Sequence, residues 1–221
     1  MGRSTNKEII CENLILCEGR DAEEFLIRYL NSEDLSERPE FSSDFQVMDF
    51  GGTYELTNYL TILQNMDRYD SVQSLLIIRD SERNAEKAID EIKHSLDCCK
   101  LEVPETPYSW RGKSPKVGYL LFPTCDSNVL PGTLEDLCLS ILSEDKGPDI
   151  LEDILRFMND LEKKYDRVFQ REFKTKLHTY FSVTDKYVSL KIGEAARAGA
   201  FNWSSEKLTP LKRFLLELME K

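Results

Sequence analysis

Short apolar runs alternate with longer amphipathic ones through the first three quarters of the chain, and each alternation predicts a strand followed by a helix. Asn13 to Cys17 is strand-like and ends before Gly19. From Glu23 to Leu30, Phe25, Leu26, Tyr29 and Leu30 recur at helical spacing. Phe45 to Phe50 predicts a second strand, and after Gly51-Gly52 the positions of Leu56, Leu60 and Leu63 predict its helix. The third unit is Ser74 to Arg79 with a helix carrying Ala85, Ala88, Ile89, Ile92 and Leu96 on one face. The fourth is Val117 to Pro123, followed after a loop by Leu134 to Leu142. Pro104, Pro107, Gly112 and Pro115 predict a long loop between the third helix and the fourth strand, with Tyr108 and Trp110 as its anchors. From Gly147 onward the pattern is helical, over Ile150 to Tyr165, Phe169 to Phe181, Leu190 to Ala200 and Ser205 to Glu220.

Continuous apolar strands between helices predict an α/β fold with a mostly parallel sheet flanked by helices, because only a strand buried on both sides dispenses with polar alternation. The expected division is an α/β domain over residues 1–146 and a helical C-terminal portion over 147–221, packed on it or merged with it into one domain.

Composition narrows the classes. The 221 residues suffice to bury a core without disulfides or metal. A net charge of −11 argues against a protein that grips nucleic acid through a broad basic surface. No apolar run approaches the ~18–20 residues needed to span a bilayer, and Met1 to Lys7 leads into no secretory apolar core. A cytoplasmic protein without membrane contact is expected. The six cysteines (Cys11, Cys17, Cys98, Cys99, Cys125, Cys138) form no Cys-x-x-Cys pair, and the two histidines, His94 and His178, add no zinc spacing, so buried reduced thiols are expected. Gly51-Gly52 matches neither a P-loop nor a dinucleotide fingerprint, so nucleotide cofactors find no support.

Three units place carboxylates just after a strand: Glu18-Gly19-Arg20-Asp21, Asp80-Ser81-Glu82 and, displaced by a loop, Gly132-Thr133-Leu134-Glu135-Asp136. The carboxyl ends of parallel strands form one rim, where ligands bind. In a strand-like continuation Asp80 and Glu82 address one side, and hard oxygen ligands suit magnesium or manganese rather than zinc. Helix capping accounts for several of the same residues: Asp21 with Glu24, Ser81, and Thr133 with Asp136 as an approximate capping box. Glu18 resists that explanation, since a polar group at the end of a buried strand is costly unless solvated, paired or metal-bound. Asp126 reads as a turn acid. His94 and His178 read as surface or packing residues. Lys163-Lys164 and Arg171 through Lys176 are the notable basic clusters. The second includes Phe173 and suits contact with phosphates, although a solvated helix face explains it as well.

Leu14 to Phe25, an apolar strand ending in Glu18-Gly19, resembles the first motif of TOPRIM domains, and Ile77-Ile78-Arg79-Asp80-Ser81-Glu82 resembles their Asp-x-Asp strand. With Phe50-Gly51-Gly52, Phe122-Pro123, Gly132 to Glu135 and the late segment Gly193 to Trp203, the likeness is to a small stand-alone group of TOPRIM-like proteins related to OLD-family nucleases. That resemblance implies a divalent-metal-dependent nuclease acting on DNA or RNA with Mg2+ or Mn2+. It implies that Glu18, Asp80 and Glu82 hold a first ion, Glu18 serving also as general base or acid, and that Glu135 helped by Thr133 supplies a second. A late lysine, Lys174 or Lys176, offsets charge on the phosphate. The chain departs from the pattern at Glu82, where a second aspartate is usual, and at Ala22, where an acid is common; Asp21 and Glu23 are the nearest substitutes. These departures lead to an alternative expectation: a catalytically weak interaction subunit working with an ABC- or OLD-type ATPase, as in phage defence.

Overall fold

Apolar runs with no polar alternation cannot leave either side of a sheet to water, and the four strand-like runs become parallel neighbours. The computed structural model describes residues 8–35, 43–146, 149–166, 168–169, 171–184 and 186–219. Its strands are β1 (Asn13–Cys17), β2 (Phe45–Asp49), β3 (Ser74–Asp80), β4 (Trp110–Arg111) and β5 (Lys116–Phe122), in the spatial order β2-β1-β3-β5-β4. The first four in that order run parallel, with Cys17 beside both Asp49 and Ile78, and Asp80 beside Phe122. The carboxyl ends of β2, β1 and β3 therefore sit together.

The helices are α1 (Arg20–Leu30), α2 (Leu56–Leu63), α3 (Ala85–Cys98), α4 (Leu134–Lys146), α5 (Asp149–Tyr165), α6 (Glu172–Val183), α7 (Ile192–Arg197) and α8 (Thr209–Met219). Alternate strand residues sort to two cores. Leu14, Leu16, Met48, Leu75, Ile77, Tyr119 and Leu121 meet α2 and α3 through Leu56, Leu60, Leu63, Ala88, Ile92 and Leu96. Ile15, Cys17, Val47, Leu76, Ile78, Leu120 and Phe122 meet α1 and α4, and the same cluster continues into Leu177, Tyr180 and Phe181 of α6 and Leu211, Phe214 and Leu215 of α8. The C-terminal part is helical and shares the core of that face. The division expected at Gly147 lies outside the described residues. Among the described residues no helix is long and apolar enough to cross a membrane.

The expected loop from Pro104 to Pro115 contains a short strand: β4 pairs antiparallel with β5, Trp110 opposite Gly118, so the sheet is mixed. Two residues are too few to show a period, which is why the pattern did not announce it. Tyr108 and Trp110 do anchor this segment, stacking on Phe214 with ring centroids 4.8 and 4.4 Å away. Helix ends differ from the expected bounds by a few residues, and the last helix is preceded by a 3-10 turn at Glu206–Leu208. All six cysteines are free, but only Cys17, Cys99, Cys125 and Cys138 are buried; Cys98 is exposed and Cys11 half-buried.

A Cβ at Gly118 would lie 2.6 Å from the Trp110 ring. Gly118→Ala is therefore expected to push Trp110 off Phe214 and lower stability by about 1–3 kcal/mol, the usual cost of overpacking. Urea unfolding followed by tryptophan fluorescence measures it; an unchanged midpoint would remove Gly118 as the reason Trp110 fits.

Candidate functional site

Chain order reverses at β1: β2 lies on one side of it and β3 on the other. In an open parallel sheet, the crevice outside the carboxyl ends at such a reversal is where ligands bind. Glu18 follows β1, its N–H donating to Ile78 O at 3.1 Å, and Asp80 ends β3. Both line a cavity of about 540 Å³ with Gly19, Gly51, Gly52, Glu82, Thr133 and Glu135, and Arg83 and the run Arg171, Glu172, Phe173 and Lys174 complete its lining. An adjoining cavity of about 270 Å³ shares Glu18, Gly19, Asp80, Glu135 and Lys174 and adds Arg20, Asp21 and Lys191.

Two glycine loops make room for it. Gly19 and Gly51 adopt φ of 84° and 95°, the left-handed region that favours glycine. Asp49, the last residue of β2, accepts from both: its Oδ1 receives Gly19 N–H at 2.9 Å and Gly51 N–H at 2.7 Å. Asp49 escaped sequence reasoning; its only signal was an acid ending an apolar strand just before Gly51-Gly52.

The turn after β3 is locked to the start of α4. Ser81, fully buried, donates to Leu130 O at 2.6 Å and Gly132 O at 3.1 Å. Glu82 and Gly132 exchange backbone hydrogen bonds of 2.8 and 2.7 Å, and Asp80 Oδ1 accepts from Leu134 N–H at 2.8 Å in the first turn of α4. The chain leaves the strand at Asp80, and Glu82 sits at φ 53°, so the expected two-residue alternation does not bring Asp80 and Glu82 together. The bridge to Gly132 instead fixes Glu82, which lines the same cavity as Asp80. A Cβ at Gly132 would meet Asp136 Oδ2 at 2.9 Å and Pro123 at 3.1 Å, so glycine alone suits that position.

Several capping expectations are corrected. α1 begins at Gly19 with no side-chain cap, and Asp21 instead accepts from Gly193 N–H at 3.2 Å. Glu24 pairs with Arg197. The cap of α3 is Asn84 rather than Ser81. Half of the capping box at α4 forms, Asp136 Oδ2 accepting from Thr133 N–H at 2.9 Å and from its hydroxyl at 3.4 Å. Asp126 is a turn acid, accepting from Asn128 N–H. Ala22 and Glu23 are buried in α1.

Electrostatics set the acids apart. Arg79, 2% exposed, reaches Glu18 Oε2 with Nε at 3.4 Å and Glu91 with its terminal nitrogen at 3.1 Å. Thr53 donates to Glu18 Oε1 at 2.7 Å, while Oε2 is buried without a hydrogen bond. Burial raises the Glu18 carboxyl above its ordinary value, with Thr53 and Arg79 opposing. Asp80 is raised well above its ordinary value, first by burial and then by the Glu135 and Glu18 charges, with the Leu134 N–H opposing and the Glu82 charge adding a smaller push upward. Arg79 was missed by sequence reasoning, although a lone cation at the end of an apolar run was its signal.

Of the two lysine candidates, Lys174 lines both cavities and lies 3.7 Å from Glu135 Oε1. Lys176 pairs with Glu172 on its own helix at 2.8 Å and lies over Phe173. The donors facing the main cavity are all oxygens, Glu18 Oε2 is a buried oxygen with no hydrogen bond, and Glu18, Asp80 and Glu135 converge in charge; this set suits a hard divalent cation. As the side chains stand, no three Asp, Glu, His or Cys groups among the described residues are arranged to hold one ion.

Residues 12–220 match the family described as "Protein of unknown function (DUF3226)", and the chain belongs to that family. No curated protein and no solved structure matches it.

Two predictions follow from the electrostatics. A raised Asp80 pKa means the folded protein retains a proton the unfolded chain releases, so that stability is full below the unfolded value of about 4 and is lost as pH rises through the folded one. With chelator present, Asp80→Asn, whose amide oxygen still accepts from Leu134, is expected to be more stable than wild type at neutral pH and to lose less on going from acid to neutral. Denaturant titrations at the two pH values decide it; a less stable variant at neutral pH contradicts it. Arg79→Met strands the Glu18 charge, and a loss of about 3–5 kcal/mol is expected, as for other broken buried pairs, largely recovered by adding Glu18→Gln. Additive losses in the double variant would rule out the pairing.

Proposed function

We propose that this member of the DUF3226 family is a TOPRIM-like, divalent-metal-dependent phosphodiesterase that acts on DNA or RNA in the cytoplasm. The observation that carries the reading is that Glu18, Asp80, Glu82 and Glu135, from three separate segments, line one cavity at the carboxyl edge of a parallel sheet. Glu18, Asp80, Glu82 and Glu135, with Thr133 beside them, are the residues that would hold Mg2+ or Mn2+. A divalent ion held by these residues would supply Lewis-acid stabilisation to phosphodiester hydrolysis. Glu18, braced by Thr53 and Arg79 and with its proton affinity raised, takes a proton from attacking water or returns one to the leaving oxygen. Lys174, exposed and only loosely paired with Glu135, turns to the charge that develops on the phosphate.

A second reading is favoured by one observation: Glu18 is already engaged by Arg79 and Thr53, and no ion-holding trio stands assembled among the described residues. On that reading the chain is a weak catalyst whose pocket is completed by a partner, such as an ABC- or OLD-type ATPase in phage defence.

Purified protein with Mn2+ is expected to cleave DNA or RNA, to stop in chelator, and to lose about 10²-fold or more in rate with Glu18→Gln or Glu135→Gln, the scale at which charge-stabilising groups count. Metal-stimulated cleavage unaffected by either substitution rejects the assignment. Cleavage that appears only on adding a partner ATPase moves the conclusion to the second reading.

A further inference from the structure

Basic residues are outnumbered over the chain as a whole, yet they gather around this pocket. Arg83, Arg171 and Lys174 line the main cavity beside Glu172, and Arg20 and Lys191 line the adjoining one beside Asp21. A third cavity, of about 490 Å³, continues from Arg171 and Lys174 along the outer face of α6, past Thr175, His178, Thr179 and Ser182. Arg171 and Lys174 line both this groove and the acidic pocket, so the two are continuous. Among the described residues no carboxylate lies within ion-pair distance of Arg171 or Arg83. These guanidinium groups are exposed and available to an anion.

We infer that this face of α6 is the track on which the sugar-phosphate backbone of a single-stranded nucleic acid lies as it enters the acidic pocket; the inference rests on the hydrolytic reading above and gives it a substrate form. Arg171, Lys174, His178 and Ser182 recur every three or four residues on one face, about 5–6 Å apart, which is the scale of the phosphate repeat in an extended strand. From Arg171 to Ser182 the row spans about 16 Å at the helical rise, enough for a few nucleotides. Phe173 faces the pocket where the row meets it and offers a ring on which a base can stack. A duplex fits less well: it would bring a second phosphate row towards a chain of net charge −11.

The test is fluorescence anisotropy with short labelled oligothymidylate and oligouridylate strands and with a duplex of equal length. It is run in EDTA, so that binding is read without any hydrolysis and the track can fail or survive independently of the metal-dependent chemistry. Wild type is expected to bind a strand more tightly than the duplex. Arg171→Glu and His178→Glu should each weaken binding about ten-fold, and loss of the Arg171 phosphate contact should lower the log–log salt slope by about 0.7. Phe173→Leu should weaken binding about ten-fold with the salt slope unchanged, because stacking releases no counterions. Ser182→Lys, at an exposed position, should tighten binding and steepen the slope, and it serves as the arm in which nothing need be lost. Undetectable strand binding, equal or tighter duplex binding, or a salt slope insensitive to Arg171→Glu and Ser182→Lys overturns the proposal.

Discussion

A pair of backbone hydrogen bonds between Glu82 and Gly132 governs where the acids of this protein stand. By itself β3 would carry Asp80 to the sheet edge and stop. The reciprocal bond, with Ser81 donating to Leu130 and Gly132, draws the start of α4 across the end of the sheet and sets Glu135 opposite Asp80. Asp80 then accepts from Leu134 N–H, so one carboxylate closes the turn and lines the pocket at once. Glu82 bears the strain of a left-handed backbone at the same junction. Strain at a non-glycine residue persists only where its surroundings over-determine it, and here the bridge and the buried Ser81 do so.

This clamp makes the site electrostatically expensive. Asp80 lies half-buried among carboxylates, conditions that disfavour its charge. Among the described acids lining the cavity, Glu18 has a buried counter-charge, Arg79, which is itself tied to Glu91 on α3. A fold that sought stability alone would relieve the remaining repulsion with neutral side chains. Glu18, Asp80, Glu82 and Glu135 share the cavity with Arg83, Arg171, Glu172 and Lys174, and Lys174 partly offsets the Glu135 charge.

The second constraint is the sheet order. Because β2 and β3 flank β1, the glycine loop after β1, the Gly51-Gly52 loop after β2 and the end of β3 open onto one crevice. Asp49 stitches two of those loops together through Gly19 and Gly51. Cores on both sides of the sheet hold the strands in that register, the one shared with α6 also fixing the helix that carries Arg171, Phe173 and Lys174 to the edge of the pocket.

The amino-acid sequence by itself determined the local elements and the class of the fold. The runs at Leu14 to Cys17, Leu75 to Ile78 and Val117 to Phe122 cannot be solvated on either side, and the spacing of Phe25, Leu26 and Tyr29 or Ala88, Ile92 and Leu96 has only one helical solution. It also marked Glu18, Asp80 and Glu135 as acids at strand ends. Only the tertiary structure decided that Glu82 is fixed by Gly132 rather than by strand alternation, that Asp21 serves Gly193, that Arg79 pairs with Glu18, and that Lys174 rather than Lys176 borders the pocket. The reason is range: side-chain periodicity is set by neighbours a few residues apart, whereas these contacts join positions dozens of residues apart whose approach depends on sheet order and loop conformation, which no local pattern encodes.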